Sequence, residues 1–292
     1  FGNSSALPAY FCAQLAAADG KKLLLAGDGG DELFAGNERY AKQIIFERYA
    51  KLPSVLRKQL IEPVAFSLPK QSRFAAKACS YISQANIRLP DRLQSYNLLN
   101  QLGQRNMISS RLWARIDPLE VLKLEREIFE APDHASTLNR MLYLDWHHTL
   151  ADNDLRKVTR MCQLAGIDVA YPMLDDRLVE FSTRVSSSRK MSGRQLRRFF
   201  KQSVEGFLPE AIINKKKQGF GLPFGVWLAE HSGLQALADD CLATFRSRDI
   251  IPSDAIETVL NRHRQHHAGY YGEFIWLVVF LELWLQDRQS KT

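Results

Sequence analysis

The fold class is decided by one stretch of the chain, Lys22-Leu23-Leu24-Leu25-Ala26-Gly27-Asp28-Gly29-Gly30-Asp31-Glu32. Its first half is a short apolar run that is typical of a buried strand. A helical pattern over about 8–18 and the turn Asp19-Gly20 precede it. A second apolar run over 167–171 follows a predicted helix over 152–165. Helix, turn and strand in this order predict an α/β fold with a parallel sheet.

Most of the remaining chain has helical spacing. The pattern runs from about 38 to 104, with breaks expected at Pro53, Pro63, Pro69 and Pro90, and resumes over 118–130, 136–148, 175–184 and 195–207. Two strands among about a dozen helices make a small sheet, so we expect a mostly helical domain with a parallel sheet remnant. We divide it into 1–52 with the strand and glycine turn, 53–150 as a helical insertion, and 151–292 as a helical C-terminal portion with a basic segment.

Composition excludes several classes of protein. At 292 residues and 46% hydrophobic residues, the chain is ordinary for a soluble globular protein. The apolar run Phe274–Leu281 is far shorter than the roughly 20 residues of a membrane span, so we expect a core helix and no membrane partner. The four cysteines form no CxxC pair, which favours buried thiols of a cytoplasmic protein over a metal site.

The net charge of +7 is concentrated in one region. The segment 189–217, called the basic segment below, holds nine basic and two acidic residues, whereas the rest of the chain balances. An anionic partner should meet this segment, although a solvated helix face is the simpler interpretation. Nucleic acid is not expected, because the interleaved aromatic residues of a single-strand platform are missing.

The glycine turn combines close backbone approach with acidic charge. Gly27, Gly29 and Gly30 permit positive φ angles and contact between backbone and ligand, and N–H groups at such a turn can hold phosphate. Three carboxylates in the same turn would repel bare phosphate unless Mg²⁺ lay between them. The alternatives are an acidic turn that caps a helix or a calcium loop, but EF-hand spacing is absent, as is the GxxxxGK[ST] phosphate loop.

The same turn carries a resemblance to a known family. The residues Leu25 to Gly36, LAGDGGDELFAG, resemble the signature LSG[DE]G[GS]DE[LV]FGGY of the asparagine synthetase family. Further similarities cover nearly the whole chain: residues 1–8 to D-x-S-x-x-P, Asp145 and 150–160 to D…L-x-D-D-x-L-x-K-x-D-R, 171–175 to R-x-P-F-L-D, and 208–227 to L-P…K-x-G-F-x-x-P-x-x-x-W.

The resemblance implies a fold and a reaction. The fold would be an adenine-nucleotide alpha-hydrolase-like domain, the PP-loop ATP pyrophosphatase type, here truncated. The reaction would be a carbon–nitrogen ligation that uses ATP and Mg²⁺. A carboxylate, aspartate or an analogue, is adenylated with release of pyrophosphate, and ammonia then displaces AMP. In the family the ammonia comes from glutamine through a glutaminase domain, and a homodimer is expected.

The resemblance also assigns roles by position. Asp31 would be a Mg²⁺ ligand, and Asp28 would lie near the reacting centre and help deprotonate the amine. Arg197 stands where the family has a lysine that contacts phosphate and stabilises the transition state. The nucleotide and its phosphates would be bound by Ala26, Gly27, Gly29, Gly30, Glu32 and Lys217.

Several positions depart from the family pattern. Ala26 replaces Ser, Asn37 replaces Tyr, Thr159 replaces Asp, Ala170 replaces Arg and Arg197 replaces Lys. No SGGLDS pyrophosphate loop and no glutaminase domain occur in these 292 residues, so we expect a C-terminal synthetase fragment that is inactive alone. A diverged amidotransferase fits these changes. The alternative is a diverged non-catalytic or partner-binding member of the same fold.

Overall fold

The structure is a computed structural model that describes residues 2–69, 72–215, 219 and 221–291. It is mostly helical, with one two-stranded sheet. The strands are β1 (Leu23–Leu25) and β2 (Asp168–Ala170).

The helices up to the second strand are α1 (Ala6–Ala18), α2 (Gly30–Phe34), α3 (Glu38–Ala50), α4 (Glu62–Ser67), α5 (Arg73–Ala85), α6 (Asp91–Gln94), α7 (Leu98–Leu102), α8 (Gln104–Met107), α9 (Ser110–Trp113), α10 (Glu120–Glu130), α11 (Thr137–Asp145) and α12 (Leu155–Leu164). The helices that follow it are α13 (Asp176–Arg184), α14 (Ser187–Lys190), α15 (Arg198–Ser203), α16 (Glu210–Ile213), α17 (Phe224–Glu230), α18 (Ser232–Arg246), α19 (Ser253–Gln265) and α20 (Ala268–Gln289). Two π-helical segments, Leu56–Ile61 and Trp146–Asp154, and a 3₁₀ turn, Pro172–Leu174, complete the list.

The predicted parallel strand pair is confirmed. Leu24 lies opposite Val169, and the Ala26 N–H donates to the Ala170 carbonyl 2.9 Å away, which continues the ladder into the turn. Leu24 packs with α1 and α12 in a small core that contains Ala13 and Cys162. Successive side chains of a strand face opposite sides, so Leu23 and Leu25 point away from this core, and they are 53% and 70% exposed. One face of the sheet is therefore covered and the other is bare.

The helical insertion differs from the prediction at two places. Pro63 does not break the helix: α4 follows directly on the π-helical segment Leu56–Ile61, so Pro63 lies inside one continuous helical stretch. The helices predicted over 136–148 and 152–165 are joined by the π-helical segment Trp146–Asp154. The domain boundary drawn at 150 lies inside this continuous helix, and the division into three parts stays a prediction.

The C-terminal helices form the largest core. Phe245 of α18, Val259 of α19 and Ile275 and Val279 of α20 are buried together. Gly225 of α17 and Gly272 of α20 let those helices cross backbone to backbone, since a Cβ on either would overlap the other helix. By length and composition α20 could span a membrane, but it packs against α17, α18 and α19.

The basic segment is less helical than predicted. The helix expected over 195–207 is reduced to α15, because Arg197 has left-handed backbone angles (φ 52°, ψ 31°). Phe199 and Phe200 of α15 contact Phe34, whereas Phe207, expected on the same apolar stripe, is 84% exposed. The prediction for the thiols was correct for Cys162 and Cys241 and wrong for Cys12, which is exposed.

Candidate active site at the acidic glycine turn

The glycine turn lies at the carboxyl end of β1. Gly29, with φ 93°, ends the turn and begins α2, and a Cβ there would overlap the Leu174 side chain. Glycine is therefore required at position 29, both by the positive φ angle and by the packing against Leu174. Gly30 lies near Met173, whereas no described residue lies within 4 Å of the Cβ position of Gly27. Ligands of open α/β sheets bind beyond the carboxyl ends of the strands, where this turn lies.

The Asp28 carboxyl is half-buried on the side of the turn that faces α12. Burial raises the pKa of Asp28, the neighbouring Asp154 raises it further, and Lys157 lowers it. The Lys157 ammonium donates to Asp154 Oδ1 at 2.7 Å, and both residues belong to the first turn of α12 and the π segment before it. Lys157 and Asp154 were not predicted as site residues, although the motif over 150–160 contained both. The structure brings them to Asp28.

The Asp31 carboxyl faces the basic segment. Arg197 Nη1 lies 3.8 Å from Asp31 Oδ1, and the Arg197 N–H donates to the Ala35 carbonyl at 3.2 Å. A Cβ at position 36 would overlap Asp31 Oδ1, so the observed position of the Asp31 carboxylate requires glycine there. The Arg197 Nε is buried and has no hydrogen-bond partner among the described residues. The structure therefore brings Asp31 and Arg197 together.

Glu32 is buried inside the turn. It is 7% exposed, and burial, followed by the charges of Asp31, Asp145 and Asp154, raises the pKa of its carboxyl to about 7. Its backbone carbonyl accepts a hydrogen bond from Trp146 Nε1 at 3.1 Å. Nearby, Asp145 accepts from Tyr40 and forms an ion pair with Arg39. Glu32 thus holds the turn against the helical insertion.

The residues present fit a Mg²⁺–phosphate ligand better than a metal bound by protein alone. Among the described ranges, no three His, Cys, Asp or Glu side chains come together as a metal-binding group. Mg²⁺ is commonly held by one or two carboxylates and by phosphate oxygens, so Asp31 with a polyphosphate satisfies its chemistry. The Arg197 guanidinium lies beside Asp31, where its positive charge would attract a phosphate group.

The remaining predicted residues differ in position. Ala26 continues the strand ladder at the entrance of the turn. Lys217 lies outside the described residues. Lys190, which belongs to the same basic segment, is 3% exposed, and burial lowers the pKa of its ammonium to about 8.

Comparison with known families identifies the family of the chain. Residues 1–286 match the family asparagine synthase. The chain belongs to the asparagine synthase family. It is a diverged member, since it is 24% identical over 284 residues to asparagine synthetase [glutamine-hydrolyzing] 1 of Bacillus subtilis. It is 22% identical over 277 residues to candidate glutamine-hydrolysing asparagine synthetases of Mycobacterium bovis and Mycobacterium tuberculosis.

These matches include most of this chain but less than half of each relative. The alignment takes in 96% of the chain and 42% of the Bacillus subtilis protein. For the mycobacterial proteins the shares are 90% and 39%. The chain therefore spans about two fifths of the length of these relatives.

Proposed function

We propose that this chain contributes to an ATP-dependent amide synthetase that activates a carboxylate as an acyl-adenylate and transfers ammonia to it. The observation that carries the proposal is that Asp28 and Asp31 lie on one turn at the carboxyl end of a parallel strand, where Arg197 approaches Asp31. Because the chain spans two fifths of its relatives, we propose that a complete site needs further residues, which supply a pyrophosphate loop and an ammonia source.

Each residue has a defined part in this proposal. The Mg²⁺ bound with ATP supplies charge neutralisation at the phosphates, and Asp31 is the side chain that would hold it. Arg197 offers its Nη1 to the departing pyrophosphate, whose negative charge grows as the carboxylate attacks the α-phosphate. A guanidinium presents a planar fork in place of the compact ammonium of a lysine, so phosphate contact at this position is kept with altered geometry.

Asp28 is the group that handles the ammonia proton. When ammonia attacks the acyl-adenylate, the nitrogen acquires positive charge and must lose a proton as AMP leaves. A half-buried carboxyl with a raised pKa is a better base than an exposed one, and the nearby Lys157 ammonium favours its ionised form. The Asp154–Lys157 pair is therefore proposed to position Asp28.

The proposal is tested by pyrophosphate release from ATP in the full-length protein, with Mg²⁺, ammonia and a panel of carboxylic acids. We expect release that depends on one carboxylate class. We expect Asp31→Asn to lower it at least 100-fold, because the metal loses a ligand. Asp19→Asn, at the exposed end of α1, is the control and should leave the rate unchanged. Full activity of Asp31→Asn would exclude Asp31 from the metal site.

A second candidate function is a non-catalytic member of the fold that binds a partner protein. The observation that favours it is the exposure of large apolar side chains, Phe11 and Leu15 on α1 and Leu23 and Leu25 on the bare face of the sheet, each more than half exposed. The replacement of the family's Ser by Ala26 and of its Lys by Arg197 also favours this second function. Absence of pyrophosphate release with every carboxylate, in a full-length protein that still folds, would favour this second function.

A further inference from the structure

A basic cleft lies directly beside the candidate active site. It has a volume of about 890 Å³ and extends between Gly36 and the helices α15 and α16. Five basic side chains line it, Arg194, Arg197, Arg198, Lys201 and Lys215. We call these five residues the basic cleft.

The charge of the cleft is largely uncompensated. Its acidic lining residues are Glu38 and Glu205, which leaves an excess of three positive charges. Arg197 is the member that approaches Asp31. The other four form no ion pair with any residue in the described part of the chain. Concave walls concentrate the field of such charges, which a convex, solvated helix face does not do.

The cleft exceeds what a nucleotide requires. A Mg²⁺–triphosphate carries a modest negative charge, and Asp31, Arg197 and the turn already face it under the proposed function. Arg194, Arg198, Lys201 and Lys215 remain. Arg194 also lines a neighbouring cavity of about 610 Å³ with Lys42, so the positive surface continues away from the turn. Free aspartate, a small molecule with its own ammonium group, matches neither the size nor the sign of this surface.

We propose that the basic cleft binds a phosphate group on the acceptor substrate, so that the molecule amidated is a phosphorylated carboxylic acid. The inference rests on the proposed function, because an acceptor exists only if the protein forms amides. It adds the chemical class of that acceptor. The reacting carboxylate lies at the glycine turn, and the phosphate lies against Arg198 and Lys201, where charge-assisted hydrogen bonds hold it.

The test is a binding measurement in the full-length protein by calorimetry, with 3-phosphoglycerate as the phosphorylated acid and glycerate as its matched partner. Both are titrated in the presence of Mg²⁺ and saturating α,β-methylene-ATP, which cannot be cleaved at the adenylating position. We expect 3-phosphoglycerate to bind at least 10-fold more tightly than glycerate. Arg198→Gln with Lys201→Gln should weaken it about 10-fold or more, because each lost charge-assisted contact costs roughly that factor.

The controls separate this inference from the proposed function. Lys58→Gln, an exposed lysine far from the turn in sequence and outside the cleft lining, should change neither affinity. Nucleotide affinity should stay within 2-fold in Arg198→Gln/Lys201→Gln, whereas Asp31→Asn should lower it. If the nucleotide itself fails to bind the wild-type protein, the proposed function fails first.

Three results would overturn the inference while leaving the nucleotide site intact. The first is competition between 3-phosphoglycerate and the nucleotide, which would make the cleft a subsite for the nucleotide's own phosphates. The second is equal affinity for 3-phosphoglycerate and glycerate. The third is unchanged 3-phosphoglycerate binding in the double variant, with its fold verified by thermal melting. Simultaneous binding that the double variant weakens supports the inference.

Discussion

The acidic turn and the basic segment each bury one ionisable side chain, with opposite consequences. Burial raises the pKa of Glu32 in the turn to about 7 and lowers the pKa of Lys190 in the basic segment to about 8. Glu32 also has acidic neighbours, whereas Lys190 is affected by burial alone. Each region therefore holds a residue whose charge changes near neutral pH. The two residues change the free energy of unfolding with pH in opposite directions.

The two regions also differ in how firmly they are held. The turn contacts two other elements, since Gly29 lies against Leu174 and the Glu32 carbonyl accepts from Trp146, and within the turn Gly36 lies against Asp31. The cleft residues other than Arg197 form no ion pairs in the described structure. A fixed acidic turn facing an open basic cleft suits a site in which metal geometry must be accurate and the bound anion can vary.

The contact between the two regions gives the largest expected effect. Gly36→Ala places a methyl group into the Asp31 carboxylate, so it should displace Asp31 and lower pyrophosphate release about 100-fold or more. Gly233→Ala in α18 is the matched control, since its Cβ would make only ordinary contacts with the His231 side chain, and it should retain full activity. Equal activity of the two variants in the pyrophosphate assay would mean that the contact between the turn and the basic segment is not needed for activity.

Within the acidic turn, Lys157→Met should reduce activity by roughly 10- to 100-fold, because it leaves Asp154 and Asp28 without their cation. The pH–rate profile should shift its acidic limb to higher pH, since the pKa of Asp28 rises. Lys157→Arg should restore part of the rate and the original limb. A rate loss without any shift of the limb would assign Lys157 a purely structural role.

Glu32→Gln tests the buried acid of the turn. The folded protein keeps the Glu32 proton up to about pH 7, whereas the unfolded chain releases it near pH 4.5, so the free energy of unfolding falls as pH rises through this interval. The variant should lose this slope and be more stable than wild type at pH 8 by about 1–2 kcal/mol, allowing for partial solvation. Urea melts between pH 4.5 and 8 measure it, with the exposed Glu38→Gln as control.

Lys190→Met tests the buried cation, and its slope has the opposite sign. The folded protein releases the Lys190 proton near pH 8 and the unfolded chain near 10.5, so the free energy of unfolding rises with pH between these values. The variant should remove the slope and gain about 1 kcal/mol at pH 7, where wild type carries a buried charge. Lys77→Met, exposed on α5, is the control. Destabilisation by Lys190→Met at pH 7 would contradict the assigned cause.

The sequence located the parts of the fold that depend on local pattern. Both strands were predicted to within a residue or two of their observed bounds, because each is an apolar run bounded by turn residues. The left-handed backbone of Arg197 was not predictable. It depends on a hydrogen bond to Ala35, from a distant part of the chain, and the apolar spacing over 195–207 favoured a longer helix. The π-helical junction Trp146–Asp154 was missed because its residues favour two separate helices by pattern.

The candidate site was predictable in the same way. Asp28, Asp31 and the glycines share one motif, so their proximity follows from sequence. The role of Gly36 and the approach of Lys157 to Asp28 depend on tertiary packing, and neither was singled out beforehand. The roles assigned to the individual residues remain predictions.

The junction between the turn and the basic segment consists of two left-handed residues joined by one peptide hydrogen bond. Ala35 has φ 59° and Arg197 has φ 52°, and the N–H of the second donates to the carbonyl of the first. Each backbone costs about 1–2 kcal/mol relative to a right-handed one. If this hydrogen bond opened, both residues would relax, and Asp31 and Arg197 would separate. The junction is therefore strained in the observed arrangement, and a ligand that bridges the Asp31 carboxylate and the Arg197 guanidinium would stabilise it.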